Sequence, residues 1–287
     1  MRRTIRTRRR RRRWRKRRAA VLLVIMALML TGIVTFIRAR STQEYRSVNK
    51  SIGEYVVQAN DGILAADTRE KMEKLLYVPR KIDKSKKLIA FTFDDGPMQG
   101  KTERVLKALE KENFRATFFM LGENVKQYPQ VAEQIYKSGN EVAGHSWDHP
   151  LLTKLSESQI KSQQDRMNQA LYEACGSKAV SFRPPYGGLN DSVKKIIDGP
   201  LILWNIDTLD WKTKSAKATE KIILEKAKDG DIVLMHDIHE STVQAVEHVL
   251  PILKQRGYEV CTVSELLEAK GVQVKKGDVV LSAHQIR

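Results

Sequence analysis

From Leu88 onward the apolar residues fall into short runs, separated by segments in which they recur every three or four positions. Runs of that kind predict strands buried on both faces, and the longer period predicts amphipathic helices. Strands are expected at 88–93, 116–120, 141–143, 179–182, 201–206, 231–235 and 259–262. Helices are expected near 102–111, 125–137, 156–174, 191–197, 216–228 and 242–255. Alternation at this pace means parallel strands joined by crossover helices. Seven strands suit either an open doubly wound sheet or a barrel; in both, chemistry collects at the strands' carboxyl ends. Residues 271–287 read as a short terminal extension with one further strand at 278–281.

Upstream the pattern is different. Residues 19–37, AAVLLVIMALMLTGIVTFI, carry no charge over 19 positions. As a helix they would span about 28 Å, close to the thickness of a bilayer's hydrocarbon core. Residues 1–18 hold twelve Arg and one Lys around Trp14, whereas only Arg38 and Arg40 flank the other end. The positive-inside rule then leaves the N-terminus in the cytoplasm and exports everything beyond Arg40. The run is long for a cleavable signal peptide and no A-x-A-like site follows it, so an uncleaved, single-pass anchor is expected. Residues 38–86 are polar and of mixed charge and read as a stalk, which places the predicted domain at 87–270.

Composition changes the picture once it is partitioned. The 287 residues contain 51 Lys plus Arg against 34 Asp plus Glu, a formal charge of +17 that by itself suggests a polyanionic partner. Residues 1–40 hold 15 of those basic side chains and no acid, so the rest of the chain sets 36 against 34. An exported part this close to neutral argues against nucleic acid as a partner. With 41% hydrophobic and 30% charged residues, disorder, collagen-like repeats and a disulfide scaffold are excluded. Cys175 and Cys261 have neither metal-type nor redox-type spacing and are expected to be unpaired.

Polar clusters stand at five successive strand exits. The first is Thr92-Phe93-Asp94-Asp95-Gly96-Pro97, where a Gly-Pro turn follows two adjacent carboxylates. Neighbouring strand residues face opposite ways, so one carboxylate can bind a metal while the other serves another purpose. The next, His145-Ser146-Trp147-Asp148-His149, has two histidines four apart, a spacing that on a helical turn lets both imidazoles reach one ion. Two neutral histidines and one carboxylate make a tridentate site with positions left for water and substrate. Arg183-Pro184-Pro185-Tyr186-Gly187 is a rigid loop whose Tyr186 N–H can serve an oxyanion. Asp207-Thr208-Leu209-Asp210-Trp211 and Leu234-Met235-His236-Asp237 supply an Asp and a His of the kind that pair as a general acid. His239 and His248 lie nearby and are read as bystanders or rim residues.

In this order the clusters resemble the motifs of the polysaccharide deacetylases with a NodB-homology domain, the fourth family of carbohydrate esterases. TFDDGP at 92–97, HSWDH at 145–149, RPPYG at 183–187, DTLDW at 207–211 and IVLMHD at 232–237 carry the likeness, over residues 87–270. The resemblance implies an α/β fold, a deformed (β/α)7 barrel of parallel strands, and a divalent metal, usually Zn2+. It implies Asp95, His145 and His149 as metal ligands, Asp94 as general base, and Arg183 to steady it. By the same likeness the Tyr186 N–H joins the oxyanion hole, Asp210 tunes the general acid His236, and Trp211 and Leu234 line the pocket for the acetyl methyl. The implied activity is removal of acetate from N-acetylated sugars. With an anchor through 19–37 and the domain outside the cell, the expected partner is a cell-wall or exopolysaccharide, foremost peptidoglycan N-acetylglucosamine. N-acetylmuramic acid, poly-N-acetylglucosamine, chitin oligosaccharides and acetyl xylan are the other substrates in this class. A catalytically silent, membrane-tethered glycan-binding module is the alternative from another class.

Overall fold

The computed structural model describes residues 82–287. The fold is built around β1 (Lys87–Asp94), of which Leu88, Ile89, Ala90, Phe91 and Phe93 are essentially inaccessible. Burying a large apolar side chain is worth about 1.5–3 kcal/mol, which favours this strand for the sheet's centre. β1 runs parallel to β2 (Thr117–Met120) and to β6 (Ile232–His236), and its first half also pairs with β7 (Tyr258–Cys261). β3 (Glu141–Gly144) continues the sheet beyond β2, and β5 (Ile206–Asp207) continues it beyond β6. A second sheet sets β4 (Leu201–Ile202) parallel to β8 (Val279–Ser282), with β9 (Gln285–Ile286) antiparallel at its edge. Single parallel bridges from Phe182 to Gly144 and to Leu201 connect the two sheets. The result is an α/β fold with a parallel sheet, its strand ends converging on one side.

The crossover helices are α1 (Thr102–Glu112), α2 (Gly122–Gln127), α3 (Pro129–Lys137), α4 (Glu157–Cys175), α5 (Asp191–Ile196), α6 (Asp210–Thr213), α7 (Ala216–Lys226), α8 (Glu240–Gln255) and α9 (Val263–Ala269). α4 is opened by a capping box between Ser156 and Gln159 and stopped by left-handed Gly176.

Several elements differ from their sequence pattern. The helix expected at 125–137 is two helices, because Pro129 has no N–H to continue the first and instead opens the second. The strand expected at 179–182 reduces to a single ladder bridge at Phe182, since Pro184 and Pro185 cannot extend it. Across this seam the Val180 N–H nevertheless donates to the Val142 carbonyl, Gly144 to Ser181 and Arg183 to Gly144. The strand expected at 201–206 is split at Leu203–Asn205. There the Asn205 side chain takes one ladder place, accepting from Ile232 N–H at 2.8 Å and donating to Asp231 at 2.6 Å, while its own N–H still donates to the Ile232 carbonyl at 3.2 Å. β8 belongs to the second sheet, with Val279 and Val280 buried. Cys175 and Cys261 form no disulfide with each other; Cys261 is buried and Cys175 partly so. Among the described residues no helix is long and apolar enough to cross a membrane; the run at 19–37 and the stalk lie outside them.

Candidate active site

Asp94 is the last residue of β1 and stands directly opposite His236 in the parallel register with β6. The two side chains are therefore about one strand spacing apart at the backbone, about 4.8 Å. Asp95 follows in a left-handed conformation, φ +69°, which turns its carboxylate toward the third strand's exit.

His145 and His149 meet it there, though not from a helical turn. Ser146 and His149 both have positive φ, 76° and 62°, and no helix forms between 145 and 150. The turn is closed by the His149 N–H donating to Ser146 Oγ at 3.0 Å. Each histidine Nε2 lies 3.5 Å from the same Asp95 Oδ1. His145 Nδ1 is 2.6 Å from the Arg183 carbonyl, which can only accept, so the ring proton sits on Nδ1 and the Nε2 lone pair faces Asp95.

One ligand atom from each of Asp95, His145 and His149 lies within 4.8 Å of the others. Asp95 Oδ1 is buried and has no hydrogen-bond partner. Burial pushes the Asp95 carboxyl up and pulls both imidazoles down, so each group is held at a cost that a cation would relieve. Two neutral imidazoles and one carboxylate are a donor set for a divalent transition metal. The residues fit such an ion.

Arg183 is completely buried and works as a cross-tie. Its Nη1 donates to Asp94 Oδ1 at 2.6 Å and to Thr92 Oγ1 at 2.8 Å. Nε and Nη2 donate to the carbonyls of Ile202 and Leu203 at 3.0 and 2.8 Å. The guanidinium also lies 4.0 Å from the centre of the Phe119 ring.

On the other side of Asp94, His236 Nδ1 is 2.9 Å from Asp210 Oδ1. Asp210 is buried at the start of α6, and its second oxygen accepts from the His236 N–H and the Thr242 hydroxyl, both at 2.7 Å. Burial opposes charge on the His236 ring, but the Asp210 hydrogen bond and charge, helped by Asp94 and Asp95, raise its pKa to about 9. The same contacts hold the Asp210 carboxyl below its ordinary value against burial.

The remaining residues form the rim. Tyr186 adopts φ +60° and is largely exposed, its ring edge-on to His149 at 4.5 Å. Leu234 is buried in β6, and Trp211 is half-exposed on α6. His239 caps the start of α8, its ring 6.0 Å from that of His236, and His248 is held in an exposed pair with Glu220. Sequence reasoning missed Thr92 and Thr242, whose hydroxyls hold Arg183 and Asp210. Thr92 opens the TFDDGP motif, whereas nothing around Thr242 in the chain marks it.

The fold and the Asp-His-His centre define an α/β domain built to hold a metal beside a buried carboxylate and a charged histidine. The polysaccharide deacetylase family model matches residues 81–198. A peptidoglycan-N-acetylglucosamine deacetylase of Bacillus cereus is 36% identical over 211 residues, covering 70% of this chain and 98% of the relative. The peptidoglycan-N-acetylglucosamine deacetylase PgdA of Listeria monocytogenes is 43% identical over 187 residues, 65% of this chain. The chain spans only 40% of that longer relative. A solved structure of the T48 deacetylase with substrate superposes with a TM-score of 0.67 at 39% identity, covering 70% of this chain and all of that one. The chain belongs to the polysaccharide deacetylase family.

Proposed function

We propose that this protein hydrolyses the acetamide of N-acetylated sugars in a cell-wall polysaccharide, with peptidoglycan N-acetylglucosamine as substrate and Zn2+ as cofactor. The observation that carries the reading is the register of Asp94 against His236, beside three side chains suited to one cation. Asp95, His145 and His149 would hold the ion, which supplies Lewis acidity toward the acetamide carbonyl and lowers the pKa of water. Asp94, oriented by Arg183, takes a proton from the attacking water. The Tyr186 N–H, at the tip of a proline-stiffened turn, donates to the oxygen that becomes anionic as the carbonyl carbon turns tetrahedral. His236, protonated at neutral pH through Asp210, gives its proton to the departing nitrogen as the C–N bond breaks. Acetate and the free amine are the products. Leu234 and Trp211 provide the apolar wall for the acetyl methyl. The pairings from β3 through Phe182 to β4, and from β5 to β6, support reading the architecture as the deformed (β/α)7 barrel.

The same proposal places the domain outside the cell, tethered by the uncharged run at 19–37 with the arginine-rich 1–18 in the cytoplasm. The Bacillus and Listeria relatives support peptidoglycan over the other glycans.

The test is acetate release by the full-length protein in mild detergent, from peptidoglycan and from chitin oligomers, with and without chelator. Release should be chelator-sensitive and restored by Zn2+, and Asp94→Asn should abolish it while leaving metal uptake intact. Near-normal turnover in Asp94→Asn would sink the assignment of the base, and no metal-dependent release from any glycan would favour the silent binding module.

A further inference from the structure

We propose that Asn124 and Asp237 are positioning residues that hold Asp95 in the left-handed backbone geometry from which its carboxylate meets His145 and His149. The inference rests on the metal-centre reading above. A residue with a Cβ seldom adopts the φ of +69° seen at Asp95 unless its surroundings impose it. Here the turn is gripped from two sides. From α2, the Asn124 side-chain amide donates to the Asp95 carbonyl at 2.7 Å, and the Leu121 N–H just ahead of that helix donates to the Gly96 carbonyl at 3.0 Å.

From the end of β6, Asp237 closes the other side. It is completely buried, and a Cβ at Gly96 would stand 2.6 and 2.7 Å from its two carboxylate oxygens. One of these, Oδ2, accepts from the Thr102 hydroxyl, whose oxygen in turn accepts from the Met98 N–H at 2.8 Å. The relay Met98–Thr102–Asp237 thus ties the far end of the Asp95–Met98 turn to the strand that carries His236. Asp237 Oδ1 is buried and has no hydrogen-bond partner. For stability alone an apolar side chain would serve better at such a position, so the carboxylate there points to a requirement of the site. Neither anchor's side chain hydrogen-bonds to the Asp94 carboxylate or to the His236 ring.

The experiment measures Zn2+ affinity of the full-length protein by competition with a chromophoric chelator, alongside kcat and KM. Asn124→Ala and Asp237→Ala should weaken Zn2+ binding by about 10- to 100-fold, the usual effect of removing a ligand's support. Asp237→Asn, which keeps the shape and still accepts from Thr102, should stay within about threefold of wild type. Excess Zn2+ should restore kcat in both alanine variants with KM unchanged, a rescue that a merely structural lesion would not allow. Zn2+ affinity of Asn124→Ala equal to wild type, or a loss in Asp237→Asn as large as in Asp237→Ala, overturns the corresponding anchor. If the wild-type protein itself takes up no Zn2+, the metal-centre reading fails instead, and the two failures are distinct.

Discussion

His236 is poised by a single partner, which makes its protonation a handle on the reaction. Burial alone would leave the ring neutral, and the Asp210 hydrogen bond and charge carry the largest share of what raises its pKa to about 9. A general acid works only while protonated, so turnover should be sustained through neutral pH and fall as pH rises through the pKa of the ring. A cation held by Asp95, His145 and His149 would offset the smaller share of the two carboxylates, so the alkaline limb of kcat should lie somewhat below pH 9. Asp210→Asn removes the charge but keeps the shape, and should move that limb down toward the ordinary imidazole value of about 6.5. A kcat–pH profile of the two proteins decides; an unmoved limb in Asp210→Asn would mean that another group is the acid. Linear spacing does not give the pairing, which only the family resemblance implies, since Asp210 and His236 lie on different strands' exits and meet because β5 and β6 are neighbours. The residue types at the strand ends were legible in the chain itself; the tie between them came only with the motif resemblance.

Among the elements, the seam between Phe182 and the split strand at 201–207 carries a single ladder bridge, and Arg183 supplies what the ladder lacks. Its guanidinium bonds two carbonyls of the split strand and two side chains of β1, so it closes the sheet and orients Asp94 at once. Arg183→Met should therefore leave Asp94 buried without a counter-charge and cost about 3–5 kcal/mol, read as a lower urea midpoint at unchanged m-value. A loss under about 1 kcal/mol, no more than a solvent-exposed ion pair contributes, would contradict this role. β8 should matter in the same way. Removing residues 278–287 strips β4 of its partner and deletes buried Val279 and Val280, each worth about 1.5–3 kcal/mol. Thermal unfolding of the shortened chain should come on the order of 10 °C lower, and an unchanged Tm would show that segment to be dispensable. These elements also show why the sequence was only partly readable. β1, β2, β3 and β6 are buried on both faces and announce themselves as apolar runs. The 179–182 and 201–206 segments have the same texture, but their ladders are interrupted by Pro184 and Pro185 and by the Asn205 side chain, which composition does not reveal. α9 was missed although Thr262 and Glu265 form a capping box that the sequence displays three residues apart.

For the whole molecule, the distribution of charge bears separately on the proposed location and on the proposed substrate. If the arginines at 1–18 served substrate recognition, activity would fall steeply with salt, as it does for proteins that neutralise a polyanion. The chain beyond residue 40 sets 36 basic against 34 acidic side chains, so its encounter with a glycan should depend on the shape and hydrogen bonds of the cleft rather than on a long-range field. Acetate release from chitin oligomers should accordingly change little between low and physiological salt. The arginines should act instead on orientation. Thirteen basic residues precede the uncharged run and two follow it, and a cation resists crossing the bilayer. Replacing the twelve arginines of 1–18 with glutamine leaves one lysine ahead of the run against Arg38 and Arg40 behind it, which reverses the bias. In intact cells lacking an outer membrane, added protease should digest the domain of the wild-type protein and spare the N-terminal segment. The glutamine variant should lose that accessibility, in whole or in large part, while the purified protein keeps its activity. Equal digestion of both would show that something other than the arginine tract sets the topology; full protection of both would place the domain inside the cell and overturn the proposed location.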